Sequence, residues 1–264
     1  MRKSSAKSPR TRVDMDAATL KKRFGLIDAL RGFWLLNMIA YHLCFDIFHI
    51  YGLNSNWMFT PGAVIWERCI CISFILISGI SLNFSRHAYR RGLIVSACGA
   101  LMTAVTLTVI PSFVIWFGVL TLIGAAILLT QALRRLFEKL PPAAGLLTSL
   151  VLFLLFYNVQ NGWLGFFGYK LIVLPRWLYQ NLLTAFFGFP GGGFISSDYF
   201  PLLPWIFLFW CGFFLWRLLQ NIGADRFFKT NVPVLSFIGR YTLWIYLAHQ
   251  PLLMGICFLI FGHF

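Results

Sequence analysis

Seven windows of apolar residues recur along the chain, separated by short segments rich in proline, glycine or charged residues. A helix needs about 20 mainly apolar residues to cross the hydrocarbon core of a bilayer, and each window comes near that length. The pattern therefore predicts an all-α fold, a polytopic membrane helix bundle with about seven transmembrane helices. The predicted spans are residues 26–48, 62–84, 92–111, 113–133, 143–159, 199–220 and 235–262.

The longest connection runs over residues 160–198 and is rich in glycine and aromatic residues. A loop of this length in a compact domain is usually functional, and at membrane depth its backbone needs protein or water around it. We expect a non-cytoplasmic or re-entrant segment, with an interfacial helix over residues 175–188 that begins at Pro175. An eighth span in this loop is the alternative, but it would invert the orientation of the last two spans.

The composition also indicates a membrane protein, since 59% of the residues are hydrophobic and only 11% are charged. The formal net charge is +14, and all but three of the 22 Lys and Arg residues (Arg68, Lys170 and Arg176) fall on one side of the predicted bundle. This asymmetry follows the positive-inside rule, so we expect a cytoplasmic N-terminus and no nucleic-acid partner. The chain then divides into a basic cytoplasmic tail, residues 1–23, and a transmembrane domain, residues 24–264.

The first predicted helix carries a stripe of ionisable residues. Arg31 and His42 are eleven positions apart, so they share one helix face and lie about 16 Å apart along the axis. Asp28, Asp46 and His49 fall on the same face. Ionisable groups inside a span are costly and tend to mark a substrate path, a proton relay or a catalytic group. We therefore expect this face to meet the interior of the bundle.

The residues of the stripe allow different interpretations. Asp28 and Arg31 can form a local ion pair at the helix end, and His49 can be an interfacial residue. His42 and Asp46 are four residues apart, so we expect Asp46 to orient the imidazole as a general base requires. His42, Asp46 and His49 also have the spacing of metal ligands, but no further cluster completes a metal site, and we expect no metal.

The last predicted helix adds Arg240 and His249. Pro251 interrupts the hydrogen bonds of this helix and frees backbone groups that can line a cavity. His249 either lines a substrate path or satisfies one of the freed carbonyls. Asp198 precedes the sixth predicted span on the non-cytoplasmic side, where it either binds a substrate or caps that helix.

Two segments of the first helix resemble a known family. Residues 27–32 (Ile-Asp-Ala-Leu-Arg-Gly) and 41–46 (Tyr-His-Leu-Cys-Phe-Asp) are similar to the opening signature of bacterial proteins grouped with the catalytic domain of heparan-α-glucosaminide N-acetyltransferase. The Arg-x10-His spacing is also similar to that of the membrane acyltransferase family 3. The resemblance continues in residues 74–82, 198–205 and 238–251, so it covers most of the chain after the tail.

The resemblance implies that an acyl group, usually acetyl, moves from cytoplasmic acyl-CoA to a sugar hydroxyl or amine of an envelope glycan or glycolipid. It also implies a bacterial inner membrane protein with acetyl-CoA as co-substrate. His42 and Asp46 would then be catalytic, with His42 as general base or transient acyl carrier. Arg31, Asp28 and Arg240 would bind the CoA donor. Of the two substrate residues, Asp198 would bind the acceptor sugar and His249 would line the path of the acyl group. The chain departs from the family pattern at Thr121, where many relatives have a histidine.

Two other functions fit the same residues. A proton-coupled transporter of a sugar or lipid would use Asp28, Arg31, His42 and Asp46 as a relay, although the sequence shows no repeated halves. A non-catalytic membrane component of envelope assembly would need neither CoA nor His42. Membrane lipids surround the protein in each case, and the sequence leaves the oligomeric state open, a homo-oligomer included.

Overall fold

The computed structural model describes residues 24–262, and this part of the chain contains ten α-helices and one antiparallel pair of strands. The predicted tail, residues 1–23, lies outside the described residues. The elements, in chain order, are α1 Gly25–Phe45, α2 Pro61–Leu82, α3 Ala88–Val109, α4 Val119–Ala132, α5 Arg134–Lys139, α6 Pro142–Phe156, β1 Trp163–Phe166, β2 Tyr169–Val173, α7 Leu182–Phe187, α8 Leu202–Asn221, α9 Pro233–Arg240 and α10 Thr242–Phe261.

The predicted helical membrane bundle is confirmed. Within the described residues, six helices are long and apolar enough to cross a membrane. They are α2, α3, α8 and α10, together with α1 extended to Ile50 and α6 extended to Asn161. The extension of α1 is a π-helical turn, Asp46–Ile50. These six helices correspond to six of the seven predicted windows.

The fourth predicted span, residues 113–133, is shorter than expected. Its helix, α4, has 14 residues and so covers about 21 Å, less than the roughly 30 Å of hydrocarbon in a typical bilayer. A 3₁₀ turn at Pro111–Phe113 and a left-handed Phe117 (φ 54°) keep the preceding residues out of the helix. These residues instead bond to the segment before α8, where the Ser197 N–H donates to the Val114 carbonyl (3.0 Å).

The last predicted span, residues 235–262, is two helices with a break at Tyr241. α9 ends at Arg240, and α10 begins at Thr242. α9 lies directly against α1, because a Cβ added to Gly239 would overlap the Asp28 carbonyl oxygen. This contact, which only glycine permits, places Arg240 beside the start of α1.

α8 forms the centre of the bundle and packs against α2, α4 and α6. Its side chains Phe209, Phe213, Phe214 and Trp216 are at most 2% exposed and fill the core. α1 packs against α2 on one side and against α9 and α10 on the other, while α3 packs against α4. The polar stripe of α1 therefore meets α10 inside the bundle.

One end of the bundle gathers arginines from several helices, and we call it the basic end. Arg31 on α1 donates to the Ser81 hydroxyl at the end of α2 (2.5 Å), and Arg217 on α8 donates to the Phe137 carbonyl of α5 (2.5 Å). Phe24, just before α1, and Trp216, next to Arg217 on α8, are in contact, with ring centroids 4.6 Å apart. These two arginine contacts therefore lie at the same end of the bundle. The basic end holds Arg31, Arg91, Arg134, Arg217 and Arg240. The end of the bundle that carries the loop of residues 160–198 is the opposite end.

The loop of residues 160–198 contains a β-hairpin and short helical turns. β1 and β2 pair in antiparallel fashion around the two-residue turn Phe167-Gly168. The predicted helix over residues 175–188 is wrong in extent, because the structure has a 3₁₀ turn at Arg176–Leu178 and the six-residue α7, which Asn181 caps. Among the described residues, this loop contains no eighth span.

Candidate functional site

At the basic end, Arg31 is held by contacts from three helices. Its guanidinium donates to the Asp28 carboxylate (2.9 Å), to the Gly239 carbonyl of α9 (3.3 Å) and to the Ser81 hydroxyl of α2. The Ser81 hydroxyl in turn donates to the Ile77 carbonyl (2.6 Å). The local ion pair that the sequence allowed is therefore present, and it is one part of a larger network that fixes the position of Arg31.

Two further arginines lie near the same carboxylate. The Arg240 Nε atom is 4.0 Å from the second Asp28 oxygen, and the Arg240 side chain is about half exposed. Arg91, three residues into α3, interacts electrostatically with both Arg31 and Asp28. Three cations thus lie near one carboxylate, and this cluster, Arg31, Arg91, Arg240 and Asp28, has an excess of positive charge that favours an anionic ligand. From the sequence, Arg91 was either a cytoplasmic residue that follows the positive-inside rule or a contact of CoA, and the structure brings it to this cluster.

Further along α1, His42 lies against His249 of α10. The centroids of the two imidazole rings are 4.9 Å apart, and their planes are inclined by 61°. The His249 side chain is 6% exposed. The sequence placed both histidines deep in the membrane, but their direct contact depends on how α1 and α10 pack, which spacing along the chain does not reveal.

The tautomer of His249 follows from its backbone contact. The Nδ1 atom lies 2.5 Å from the Tyr246 carbonyl oxygen, which can only accept a hydrogen bond. A neutral His249 therefore carries its proton on Nδ1 and a lone pair on Nε2. Within residues 24–262, Nε2 is buried and has no hydrogen-bond partner. An oriented imidazole with an unbonded Nε2 can take up a proton, as a general base does.

Asp46 does not contact His42 as predicted. Its Oδ1 atom accepts a hydrogen bond from the Gln250 side chain of α10 (2.8 Å), and its Oδ2 atom has no partner among the described residues. The prediction of an Asp46 that orients His42 is therefore wrong. The carboxylate is fully buried where the π-helical turn begins, and it turns toward the amide donor of α10 instead. Asp46 joins α1 to α10 one helical turn beyond the histidine pair.

His49, the last member of the stripe, lies outside this constellation. Its Nδ1 atom is 3.1 Å from the Ser55 carbonyl oxygen in the following loop. The described residues also contain no group of three or more His, Cys, Asp and Glu side chains that could hold a metal ion. His42, Asp46 and His49 therefore do not assemble as the ligands of a metal.

Asp198 lies toward the opposite end, at a small cavity. Its Oδ2 atom accepts a hydrogen bond from the Val119 N–H (3.2 Å), so Asp198 caps α4 and not α8, the helix that it precedes in sequence. The cavity of about 10 Å³, large enough for a single water molecule, is lined by Asp198, Thr121 and Tyr246 among others. Burial raises the pKa of Asp198 to about 6, the Val119 N–H acts in the opposite direction, and the Glu67 charge adds to the rise.

Tyr246 connects this cavity to the histidine pair. Its side chain lines the cavity, and its ring lies 5.4 Å from that of His249. Thr121, the position where the family resemblance leads us to expect a histidine, therefore lies one side chain away from the histidine pair. Tyr246 was not predicted as a site residue. The sequence carries no signal for it, because the place of its side chain beside the cavity depends on how α10 packs against other segments.

The arrangement defines an integral membrane protein whose spans bury a histidine pair and, nearer one end, a cluster of arginines. The family model described as heparan-alpha-glucosaminide N-acetyltransferase, catalytic, matches residues 23–251. The chain belongs to this family, as its signature residues suggested, and the membership implies membrane acetyltransferase-type activity. No curated protein and no solved structure matches the chain.

Proposed function

We propose that this protein transfers an acetyl group from cytoplasmic acetyl-CoA to a sugar hydroxyl or amine of an envelope glycan, across a bacterial inner membrane. The observation that carries the proposal is the contact between His42 and His249, with ring centroids 4.9 Å apart inside the bundle. This pair lies about 16 Å along α1 from Arg31. A donor held at the basic end by its phosphates can extend its thioester to this depth.

The cluster of Arg31, Arg91, Arg240 and Asp28 is the proposed donor site. The phosphates of CoA are polyanionic, and guanidinium groups bind phosphate through paired, charge-assisted hydrogen bonds. Arg31 is fixed by Ser81 and Gly239, so its charge is positioned before the ligand arrives. The half-exposed Arg240 lies where a ligand can reach it from solvent. The basic end would then face the cytoplasm, in agreement with the positive-inside rule.

In a direct transfer, the acceptor oxygen or nitrogen attacks the thioester carbonyl carbon. A histidine, with the Nε2 lone pair of His249 as the best oriented candidate, takes the proton from the acceptor. A carbon–oxygen or carbon–nitrogen bond forms, the carbon–sulfur bond breaks, and the departing CoA thiolate recovers the proton from the imidazolium. In a two-step transfer, a ring nitrogen of neutral His42 attacks the thioester carbonyl carbon, the carbon–sulfur bond breaks, and the CoA thiolate leaves with the ring proton. The acceptor then attacks the acetyl-imidazole, the carbon–nitrogen bond to His42 breaks, and the proton of the acceptor returns to the ring.

The acceptor would approach from the opposite end. The short helix α4 begins toward this end, and the segment that bonds to its start carries Asp198 at the water-sized cavity. Asp198 and Thr121 are the proposed contacts of the acceptor, and Tyr246 lies between them and His249. A carboxylate and a hydroxyl are suitable partners for the hydroxyl and amine groups of a sugar.

The test is incubation of membranes that contain the protein with acetyl-CoA labelled in the acetyl group. We expect label to appear in a glycan, and only when the protein is present. Label that stays on the purified protein when no acceptor is added, and is lost in His42→Ala, would identify the two-step route. Reconstituted protein that moves a sugar or lipid without consuming acetyl-CoA would contradict the proposal and favour the transporter.

A further inference from the structure

The β-hairpin of the long loop and the end of α6 line an open groove on the surface of the bundle. Its volume is about 350 Å³. Its walls are Phe153 and Leu154 from the last turn of α6, Tyr157 and Asn158 directly after this helix, and Phe167 and Gly168 from the hairpin turn. α6 is part of the candidate span Pro142–Asn161. The groove therefore lies where this span leaves the hydrocarbon, and most of its lining is apolar.

The hairpin beside the groove is unusually apolar for an exposed element. All five residues of β2, Tyr169–Val173, are exposed, and the apolar ones lie on both faces of the strand. Val173 is 76% exposed and Phe167, at the turn, 86%. Aromatic and aliphatic side chains of this kind are favourable where water gives way to lipid, and costly in water alone. Among the described residues, no second layer covers this strand.

The hairpin turn holds an aromatic residue, Phe167, in a strained backbone conformation. Phe167 has φ 48° and Gly168 has φ 92°. The left-handed conformation suits glycine or asparagine and is strained for a bulky residue. The chain nevertheless places phenylalanine there, where its ring forms one wall of the groove.

Positive charge lies beside the groove on a side of the protein that has little of it. In the orientation predicted from the sequence, three of the 22 Lys and Arg residues lie away from the basic side, and two of them, Lys170 and Arg176, are in this loop. Lys170 follows the groove residue Gly168 by two positions, and its Nζ atom is 5.8 Å from the centre of the Trp163 ring. A lysine held over an indole at the membrane surface is well placed to attract a lipid phosphate.

We infer that this groove is a binding site for one acyl chain of an anionic phospholipid, with Lys170 beside the lipid phosphate. The groove opens to the membrane beside a spanning helix, its lining is apolar, and the neighbouring cation matches an anionic headgroup. Because lipid tails gain little from one apolar surface over another, selectivity must come from the shape of the groove and from this charge. The groove lies on the loop of residues 160–198, away from the histidine pair and the arginine cluster, so lipid binding there does not depend on acetyl transfer.

The test uses the full-length protein in nanodiscs with phosphatidylglycerol that carries a photoreactive diazirine in its acyl chain. Phosphatidylcholine with the same chain is the comparison probe, and cross-linked peptides are mapped. We expect residues 153–168 to be labelled about five-fold more by phosphatidylglycerol, the preference that one cation near an anionic group provides. Lys170→Gln should remove this preference and leave the phosphatidylcholine labelling unchanged.

Variants of the walls test the groove itself. Leu154→Trp should fill it and reduce its labelling by phosphatidylglycerol to the phosphatidylcholine level. Leu147→Trp is the matched control, since it lies two helical turns away on the same face of α6, is 63% exposed and lies outside the groove. Phe167→Ser removes a wall without touching the core, and it should also reduce the labelling. Equal labelling in the wild type, Leu154→Trp and Phe167→Ser would overturn the proposal. Equal labelling by the two probes in the wild type would overturn it as well, since a neutral lipid would then be the occupant.

Discussion

The two halves of the polar stripe on α1 differ in how their charged groups are held. Near the basic end, Asp28 and Arg31 are joined to each other and to Ser81 and Gly239. Further along, the polar atoms His249 Nε2, Asp46 Oδ2 and Gln250 Oε1 are buried without a hydrogen-bond partner in the described part of the chain. Each such atom costs about 1–3 kcal/mol. The first half has the properties of a fixed anchor for a ligand, and the second those of a reactive site.

The histidine pair should be the part of the molecule where a single change costs the most activity. We expect His249→Ala to lower the rate of acetyl transfer by about 10² to 10⁴-fold, the usual contribution of a general base. The double variant His42→Ala, His249→Ala should lose little more, because groups that act as a unit are not additive. The measurement is kcat with purified protein and saturating acetyl-CoA. If the fold-loss in kcat of the double variant equals the product of the fold-losses of His42→Ala and His249→Ala, the two histidines act independently.

Substitution of Arg31 should weaken the binding of acetyl-CoA more than it lowers kcat. Arg31→Ala should raise the KM for acetyl-CoA about 10- to 100-fold and change kcat less, because charge-assisted hydrogen bonds are worth roughly 1.5–3 kcal/mol. Arg31→Lys keeps the positive charge but loses the paired hydrogen bonds of a guanidinium, so its KM for acetyl-CoA should lie between those of the wild type and Arg31→Ala. Arg134→Ala is the control, since Arg134 also lies at the basic end but pairs with Glu138 (2.8 Å). An equal rise in KM from both alanine variants would argue against a specific donor site.

The link between Asp46 and Gln250 should matter for stability. Gln250→Ala leaves the buried carboxylate without its donor, and we expect a loss of about 1–3 kcal/mol in the free energy of unfolding. The half-exposed Gln131, whose side chain accepts a hydrogen bond from Arg134 (3.4 Å), provides the comparison. Gln131→Ala should cost less than about 0.5 kcal/mol. Denaturant unfolding in detergent measures the free energy of unfolding of both variants. Similar losses would mean that the hydrogen bond between Gln250 and Asp46 contributes no more to stability than a contact at the surface.

The smallest effect is expected from Asp198 as the pH changes. Its pKa is raised to about 6 in the folded protein, against 3.8 without its surroundings. The folded state therefore binds the proton more tightly than the unfolded state, and the contribution of Asp198 to stability falls as pH rises from about 4 to about 6. Asp198→Asn, which can still accept from the Val119 N–H, should flatten this part of the profile and change the melting temperature by about 2–4 °C. An unchanged pH profile would contradict the burial of the carboxyl group.

Sequence periodicity was sufficient for most of the fold because a spanning helix has a fixed length and an apolar composition. It also identified Arg31, His42 and Asp46, since charges within a span stand out against apolar neighbours. The break at Tyr241 and the short α4 were not predicted, because both depend on how α9 and residues 111–118 pack against other segments.

The site was predicted less completely than the fold, because its contacts also depend on how the helices pack against one another. Helix geometry made Asp46 a plausible partner of His42, but the carboxylate found a donor on α10. The contacts of His42 with His249, of Asp198 with Val119 and of Arg240 with Asp28 join residues far apart in sequence. The period of one helix carries no information about its neighbours. The resemblance to a family was what placed these residues in one site.

The central claim is that the histidine pair performs acetyl transfer, and it is tested most directly by His42→Ala. The measurement is transfer of labelled acetyl from acetyl-CoA to the acceptor by purified protein, with His49→Ala as control, since His49 lies on the same stripe but contacts the Ser55 carbonyl. We predict a rate reduced about 10² to 10⁴-fold for His42→Ala and a rate near that of the wild type for His49→Ala. Wild-type transfer by a correctly folded His42→Ala protein would contradict the account.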